Sequence, residues 1–425
     1  AKKGQNPTST SFVICDLNAM GYPIPMSEIL LVKNVRPLGA ATTDILVEDG
    51  IIRQMSPDLE LSNSDGNTTV IDGKNQMVFP GLVNAHAHID KNLIGQPWHR
   101  NALPGATIRD LVDYERKIQS EQNLSTRTQS NLDVEASIAA GTTHIRTHVD
   151  IDPEIGLTGF EGVLGTKEEF KNKLTMQTVA FPQRGMLINP GTVELLEEAL
   201  KMGADAMGGL DPSIIDRDPA QHINIVFDLA IKYGVEVDIH LHEPRLLGAF
   251  SVELIIERTK ALSMQGNVTI SHVFCLGMIE DGHLNRLIDQ FLENDITIMS
   301  LASGSGDFPP LKKLNDAGVK LCTGTDGVRD TWGPYNYVDI LERVKLMGYR
   351  SGFRRDEDVE MLLNVATYGG AAVMKDNSYG LEVGKSADFV ILPGDAPTQA
   401  VVELPTRSWV IKRGKVVAKN GELAG

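Results

Sequence analysis

Eight short apolar runs, separated mostly by long amphipathic stretches, constrain this chain more than any other feature. The runs are 77–85 (MVFPGLVNA), 143–150 (THIRTHVD), 176–181 (MQTVAF), 204–210 (ADAMGGL), 235–242 (VEVDIHLH), 268–274 (VTISHVF), 296–302 (ITIMSLA) and 319–326 (VKLCTGTD). Between them, stretches that include 107–122, 129–139, 192–203, 220–233, 250–264, 280–293 and 333–348 place apolar residues at helical spacing. Strands that alternate with helices form parallel sheets, and eight such units match a closed barrel better than an open sheet. The expectation is an α/β fold, a (β/α)8 TIM barrel, with an open α/β sheet as the competing architecture. No GxGxxG loop follows a strand and no GxxxxGK(S/T) run occurs, so neither kind of nucleotide-phosphate cradle is expected.

The two ends of the chain have a different texture. Short β-branched runs occupy 11–16, 29–38, 43–55 and 68–73, with Asp49-Gly50 as a hairpin turn and a polar, turn-rich segment at 56–67. Similar runs return at 379–392 and 408–419, punctuated by Gly384, Gly394 and Gly414. A small β-sandwich domain built from both ends is therefore expected, with residues 1–75 and 376–425 flanking a barrel over 76–375. The length of 425 residues leaves no room for a second catalytic module.

Composition excludes several partner classes. The 56 acidic residues outnumber the 40 Lys and Arg, for a formal charge of −16, and no basic stripe with interleaved aromatics offsets it, so nucleic acid is not an expected partner. No run of 18 apolar residues occurs and no apolar signal segment precedes a small-residue site near the start, so no membrane partner is expected. Cys15, Cys275 and Cys322 form neither a disulfide framework nor a CxxC site, which fits a reducing compartment. A cytoplasmic location and a homo-oligomeric assembly are expected.

The chemistry concentrates at the strand ends. His86 and His88 follow the first run as HAH, His240 and His242 lie in the fifth as HLH, His272 ends the sixth and Asp326 ends the eighth. Residues i and i+2 of a strand share a face, so each pair is able to reach one point together. Barrel active sites form at the C-terminal strand ends, and three or four imidazoles with one carboxylate suit zinc or ferrous iron with a position left for water. A lone HxH is commonly structural. Four such signals on separate strand ends are much harder to explain by packing.

These motifs, HAHIDK, RTHVDID (146–152), VAFPQRG (179–185), HLHE (240–243), SH (271–272), TDGVRDTW (325–332) and GLEVGKSADFVIL near the C-terminus, resemble the amidohydrolase superfamily over nearly the whole chain. The likeness is to the branch of cytosine deaminase and N-isopropylammelide isopropylamidohydrolase. It implies a barrel with a β-rich side domain and one catalytic divalent ion, Zn or Fe, held by His86, His88, His240 and Asp326. It also implies that His272 touches the attacking water or the substrate, that Glu243 is the general acid/base and that Gln183 reads a substrate amide. No Lys or Glu stands on the fourth strand, ADAMGGLDP, which favours a single ion. Asp326 would accept a proton from the activated water and Glu243 would protonate a ring nitrogen.

Two departures bear on the substrate. Cytosine deaminase carries a second acidic residue directly after the metal aspartate, where this chain has Gly327, whereas the isopropylammelide enzyme carries Asp where Glu243 stands. DKN after HAHI, GGLDP, His242 and DGVRD are closer to the isopropylammelide enzyme. Among other polar candidates, His148 is placed in the substrate pocket or behind a ligand, and Arg329 and Asp330 on the substrate or holding the eighth loop by an ion pair. Trp98 is a candidate to stack on a planar ring, and Asp152 and Asp211 read equally as loop caps. The expected activity is metal-dependent hydrolytic deamination of a small neutral pyrimidine- or triazine-like heterocycle with release of ammonia. Hydrolysis of an N-alkyl aminotriazine is the alternative, followed by cyclic-amide ring opening, which the fourth strand disfavours, and by a non-catalytic ligand-binding barrel.

Overall fold

A computed structural model describes residues 27–61, 67–102, 107–303, 306–333 and 335–424. The expected strand at 11–16 lies outside these residues. Eight parallel strands make the barrel: β5 (Leu82–Ala87), β6 (Thr142–Asp150), β7 (Thr175–Phe181), β8 (Ala206–Leu210), β9 (Glu236–Leu241), β10 (Val268–His272), β11 (Thr297–Met299) and β12 (Leu321–Cys322), paired in chain order. The ring closes between β12 and β5 through backbone bonds from Ala85 N to Thr323 O (3.0 Å) and from Asp326 N to His86 O (2.9 Å). Helices α1 (Ile108–Glu121), α2 (Thr126–Ala139), α3 (Thr158–Glu169), α4 (Thr192–Lys201), α5 (Pro219–Tyr233), α6 (Arg245–Ala261), α7 (Asp281–Glu293), α8 (Leu311–Ala317), α9 (Ile340–Arg350), α10 (Asp356–Asn364) and α11 (Gly370–Val373) lie in and after the barrel connections.

Local rules account for the helix bounds. α5 starts at an Asp218 cap whose side chain accepts from Gln221 N, has Pro219 in its first turn and stops at Gly234 in the left-handed region (φ 67°). Its apolar stripe, Ile223, Val226, Phe227 and Ala230, is buried in the layer between strands and helices. The helix expected over 333–348 begins only at Ile340, where Asp339 caps Leu341 N. The residues before it form a loop instead, with the Asn336 side chain donating to Gly327 O (2.8 Å).

The chain ends build one mixed sheet, in the order β16 (Glu422–Leu423), β15 (Lys415–Lys419), β14 (Trp409–Lys412), β13 (Phe389–Leu392), β4 (Asn67–Pro80), β1 (Glu28–Pro37), β2 (Thr43–Glu48) and β3 (Ile51–Ser56). Only the β1–β4 pair is parallel. The sheet curls over a separate core of Leu30, Val32, Ile45, Val47, Ile52, Phe389 and Ile411, with α12 (Pro397–Glu403) between β13 and β14. Asp49-Gly50, Arg413-Gly414 and Asn420-Gly421 are tight turns of this sheet, each with two successive positive φ angles.

The run 77–85 is not one barrel strand. Met77–Pro80 ends β4 in the side sheet, and the barrel strand begins at Leu82. The change of sheet falls at Pro80-Gly81, because proline has no N–H for a ladder and a Cβ at Gly81 would lie 2.2 Å from Thr143 Oγ1. Tyr379 Oη donates to Gly81 O (2.6 Å), and the buried Lys412–Asp388 pair (2.7 Å) meets His144 of β6. The side sheet is thus tied to the barrel away from the C-terminal strand ends.

Gly324 crosses the closing seam so closely that a Cβ would lie 2.2 Å from His86 O and 2.5 Å from His86 N. Backbone atoms in a closed ring have nowhere to move. Gly324→Ala should therefore destabilise the fold by about 2–3 kcal/mol, read as a lower urea midpoint; an unchanged midpoint would show that the seam is loose.

Candidate active site and metal centre

The C-terminal strand ends surround a cavity of about 610 Å³ lined by His88, Gln183, His240, His242, His272 and Asp326, among others. Beneath it His86, His88, His148 and His240 are buried with one ring nitrogen of each within 4.8 Å of the others, and His86, His272 and Asp326 form a second such group. The Nε2 atoms of His88 and His240 are 3.2 Å apart, and Asp326 Oδ1 lies 3.4 Å from His88 Nε2 and 3.8 Å from His86 Nε2.

Burial pushes the imidazoles of His86, His88, His240 and His272 well below the ordinary histidine range, with the neighbouring cations and imidazoles adding to the effect. They are therefore neutral, with lone pairs available to an ion. Both ring nitrogens of His86 and of His272, and Nδ1 of His88 and of His240, are buried with no hydrogen-bond partner among the described residues. Orphaned buried polar atoms cost about 1–3 kcal/mol each, a load that a bound divalent cation relieves. This donor set fits a metal ion.

The backbone at the site is held in uncommon conformations. His272 and Asp326 have φ of 69° and 62°, in the left-handed region that residues other than glycine seldom occupy. Each costs on the order of 1–3 kcal/mol, and such costs gather where a side chain must be aimed at a particular point.

A profile of the amidohydrolase family matches residues 136–418. The chain belongs to the amidohydrolase family. Over 357 residues it is 29% identical to N-isopropylammelide isopropyl amidohydrolase of Pseudomonas sp. strain ADP, covering 82% of this chain and 88% of the relative. Pterin deaminase of Rhizobium rhizogenes is 23% identical over 440 residues, covering 97% of this chain and 95% of the relative. Among solved structures, N-isopropylammelide isopropylaminohydrolase from Burkholderia multivorans superposes with a TM-score of 0.90 at 40% identity, covering 93% of this chain and 100% of that one. The 5-methylcytosine deaminase of Klebsiella pneumoniae liganded with 5-fluorocytosine superposes at 0.78 with 25% identity, covering 93% and 98%.

This amidohydrolase is an enzyme of non-peptide C–N bonds in a metal-dependent family, and its fold is the expected barrel with a sheet from both chain ends. Among the described residues no helix is long and apolar enough to cross a membrane.

The structure brings His86, His88, His240, His272 and Asp326 together and sets Gln183 in the cavity wall, where Gln183 Nε2 donates to Glu115 Oε1 (3.0 Å) and Gln183 Oε1 accepts from Lys91. His148 lies with the imidazoles of His86, His88 and His240 rather than in the wall, 3.5 Å from Asp238 Oδ1. Trp98 is 68% exposed and sits under the Arg329 guanidinium (5.9 Å), which donates to Gln96 O (2.6 Å). This pair braces the first and eighth loops against each other and lines no part of the cavity.

Glu243 is fully buried and does not line the cavity. Its Oε1 accepts from Ser213 N (2.6 Å) and Ile214 N (2.9 Å), and its Oε2 accepts from the Ser251 hydroxyl, so the carboxylate holds the loop after β8. Burial raises its pKa against the pull of these donors. His242 occupies the wall instead, its ring centroid 4.3 Å from that of His272. Its Nδ1 is 2.8 Å from Asp211 Oδ2, whose other oxygen accepts from His242 N (2.5 Å) and Glu243 N (3.2 Å). Burial disfavours the His242 imidazolium, yet the charge and hydrogen bond of Asp211 prevail and its pKa is raised.

His240 and His242 fall on one face at the end of β9, as i and i+2 spacing requires, and Glu243, past the strand end, is directed away from the cavity. Asp330, a candidate for substrate contact or for bracing the eighth loop, also lines the wall, as does Lys91, whose Nζ is 2.9 Å from Asp150 Oδ1 and to which the sequence assigns no role.

Losing a direct ligand should cost more ion affinity than the roughly 10–100-fold typical of outer contacts. His88→Ala should therefore purify without its divalent ion by elemental analysis, while Trp98→Ala keeps wild-type stoichiometry; full occupancy in His88→Ala would remove this residue from the centre.

Proposed function

We propose that this amidohydrolase hydrolyses the bond between a triazine- or pyrimidine-like ring and an exocyclic amine, with an N-alkylamine favoured over ammonia as the leaving group. One observation carries the choice. The group facing the cavity beside His272 is the Asp211-anchored His242, while Glu243, the acid/base position of the cytosine deaminase likeness, is turned into the loop after β8. The 40% identity to the Burkholderia enzyme supports the same reading, as do the apolar residues Phe181, Leu210, Ala302, Trp332 and Leu346 in the cavity lining. A volume of about 610 Å³ accommodates a substituted ring.

His86, His88, His240 and Asp326 would hold one divalent ion, zinc or iron, which when bound supplies a water acidic enough to ionise near neutral pH. His272, with neither ring nitrogen engaged, orients that water towards the amine-bearing carbon. A carboxylate only accepts, so the hydrogen shared with Asp211 sits on His242 Nδ1 and leaves Nε2 for proton transfer. Asp326 accepts the proton that the water gives up, and His242 Nε2 delivers a proton to the exocyclic nitrogen, so that a neutral amine departs, the ring keeps a carbonyl and the proton on Asp326 restores the one lost from His242. Gln183 presents its amide to the ring edge.

Release of ammonia from a free aminopyrimidine is the second reading, supported by the 25% identity to the Klebsiella deaminase. A screen for isopropylamine and ammonia over N-isopropylammelide, other N-alkyl aminotriazines, cytosine and isocytosine separates the two, and the absence of any amine from metal-loaded protein would overturn both. His242→Asn should lower kcat by about 10²–10⁴-fold with the ion retained. Glu243→Gln should cost less than about tenfold, because a Gln amide is able to satisfy the same donors, its oxygen accepting from Ser213 and Ile214 and its nitrogen donating to the Ser251 hydroxyl. The reverse order would return proton transfer to Glu243.

A further inference from the structure

Asp330, four residues beyond the metal-binding position, lines the cavity together with Gly327, His242 and His272. Its Oδ1 accepts from Trp332 N (2.9 Å) and Gly333 N (3.1 Å), an Asx-type turn that fixes the carboxylate. Its Oδ2 has no hydrogen-bond partner among the described residues. The loop turns back on itself through Arg329 (φ 44°) and carries this oxygen over Gly327, where a Cβ would lie 1.7 Å from Oδ2 and 2.8 Å from Cγ. Gly327 is not among the residues with positive φ, so its backbone does not call for glycine. What calls for glycine is the space taken by the Asp330 carboxylate.

We propose that Asp330 is a specificity-determining residue whose Oδ2 accepts a hydrogen bond from a ring N–H of the substrate, and that Gly327 is required to leave room for it. The inference rests on the nitrogen-heterocycle reading above and narrows it to oxo rings that carry hydrogen on the nitrogen facing this loop. The loop is built to hold the group still. Asn336 Nδ2 donates to Gly327 O (2.8 Å), Arg343 Nη2 lies 2.5 Å from Asn336 Oδ1, and Arg329 N bonds Asn336 O (3.3 Å). Burial lifts the Asp330 pKa to about 6, which leaves the carboxylate largely ionised at neutral pH and therefore an acceptor only. A ring without hydrogen at that position would leave a charged acceptor unpaired in the cavity, which is how a polar site rejects close analogues.

The test compares N-isopropylammelide with its ring N-methyl derivatives on zinc-loaded wild type, Asp330→Asn and Gly327→Ala. Binding of the trihydroxytriazine ring product is measured by calorimetry alongside turnover. For the N–H substrate both variants should raise KM, and weaken binding of the ring product, by roughly 10–100-fold, with a smaller change in kcat, with zinc content unchanged in both and with Tm unchanged in Asp330→Asn. On the N-methyl derivative that blocks the contact, wild type should already be impaired and Asp330→Asn no worse. KM and ring binding within about twofold of wild type in both variants, or equal losses on methylated and unmethylated rings, would overturn the assignment. Absence of amine release by wild type is a different result and counts against the proposed reaction; in that case ring binding alone decides the Asp330 contact, and no binding to wild type rejects it.

Discussion

Closure of the barrel between β5 and β12 is the constraint on which the site depends. β12 contributes only Leu321–Cys322 to the ladder, so much of the seam is made after the strand ends. There Asp326 N bonds His86 O (2.9 Å), His88 N reaches Asp326 O (3.4 Å), and Asn84 and Thr325 exchange two hydrogen bonds of 2.8 and 3.0 Å. Residues that complete the ring are thus the ones whose side chains face the candidate ion. Their relative positions are set by backbone register rather than by loop packing, and a bound cation would in turn fasten the seam.

The two ends of the barrel divide the labour. At the N-terminal strand ends Arg146 is fully buried, with Nε and Nη2 held by Gln177 (3.0 and 2.7 Å), Val373 O (2.8 Å) and Glu236 and with Nη1 3.7 Å from Asp238, while His144 meets Asp376 (3.0 Å). Removing one member of such a network leaves a charge stranded in low dielectric, which makes this end costly to alter. At the opposite end the imidazoles of His86, His148 and His272 are buried with no hydrogen-bond partner among the described residues, and His272 and Asp326 sit at positive φ. The networks at one end compensate for the strain and unmet hydrogen bonds at the other, which is the usual relation between scaffold and site.

Much of this was legible in the residues because period and position carry it. Eight β runs separated by amphipathic stretches specify the barrel, and histidines at strand ends specify where an ion would sit. The Asp49-Gly50 hairpin was legible for the same reason, since its two central residues must accept positive φ. What period does not carry was harder. Apolar character is continuous through Pro80-Gly81 and suggests one strand, although the chain changes sheets at that point. Trp98 and Arg329 carry side chains suited to a site but lie on loops, whose direction no repeat predicts, and they pair with each other.

The residues that distinguish this amidohydrolase lie one step away from the metal cluster. At the end of β9 the choice between His242 and Glu243 is a matter of direction: the chain turns one side chain into the cavity and its neighbour into the loop after β8. At the eighth strand end the carboxylate near residue 327 belongs to Asp330, delivered by a turn rather than by the next residue along the chain. In both places the family pattern and the cavity disagree about which residue supplies a group, while the imidazoles and Asp326 below are unaffected. Strand ends are fixed by closure and loops are not. On the proposed reading, a family of this kind keeps its reaction class in the ladder and changes its substrate through side chains that a single turn or a single glycine can bring to the ring.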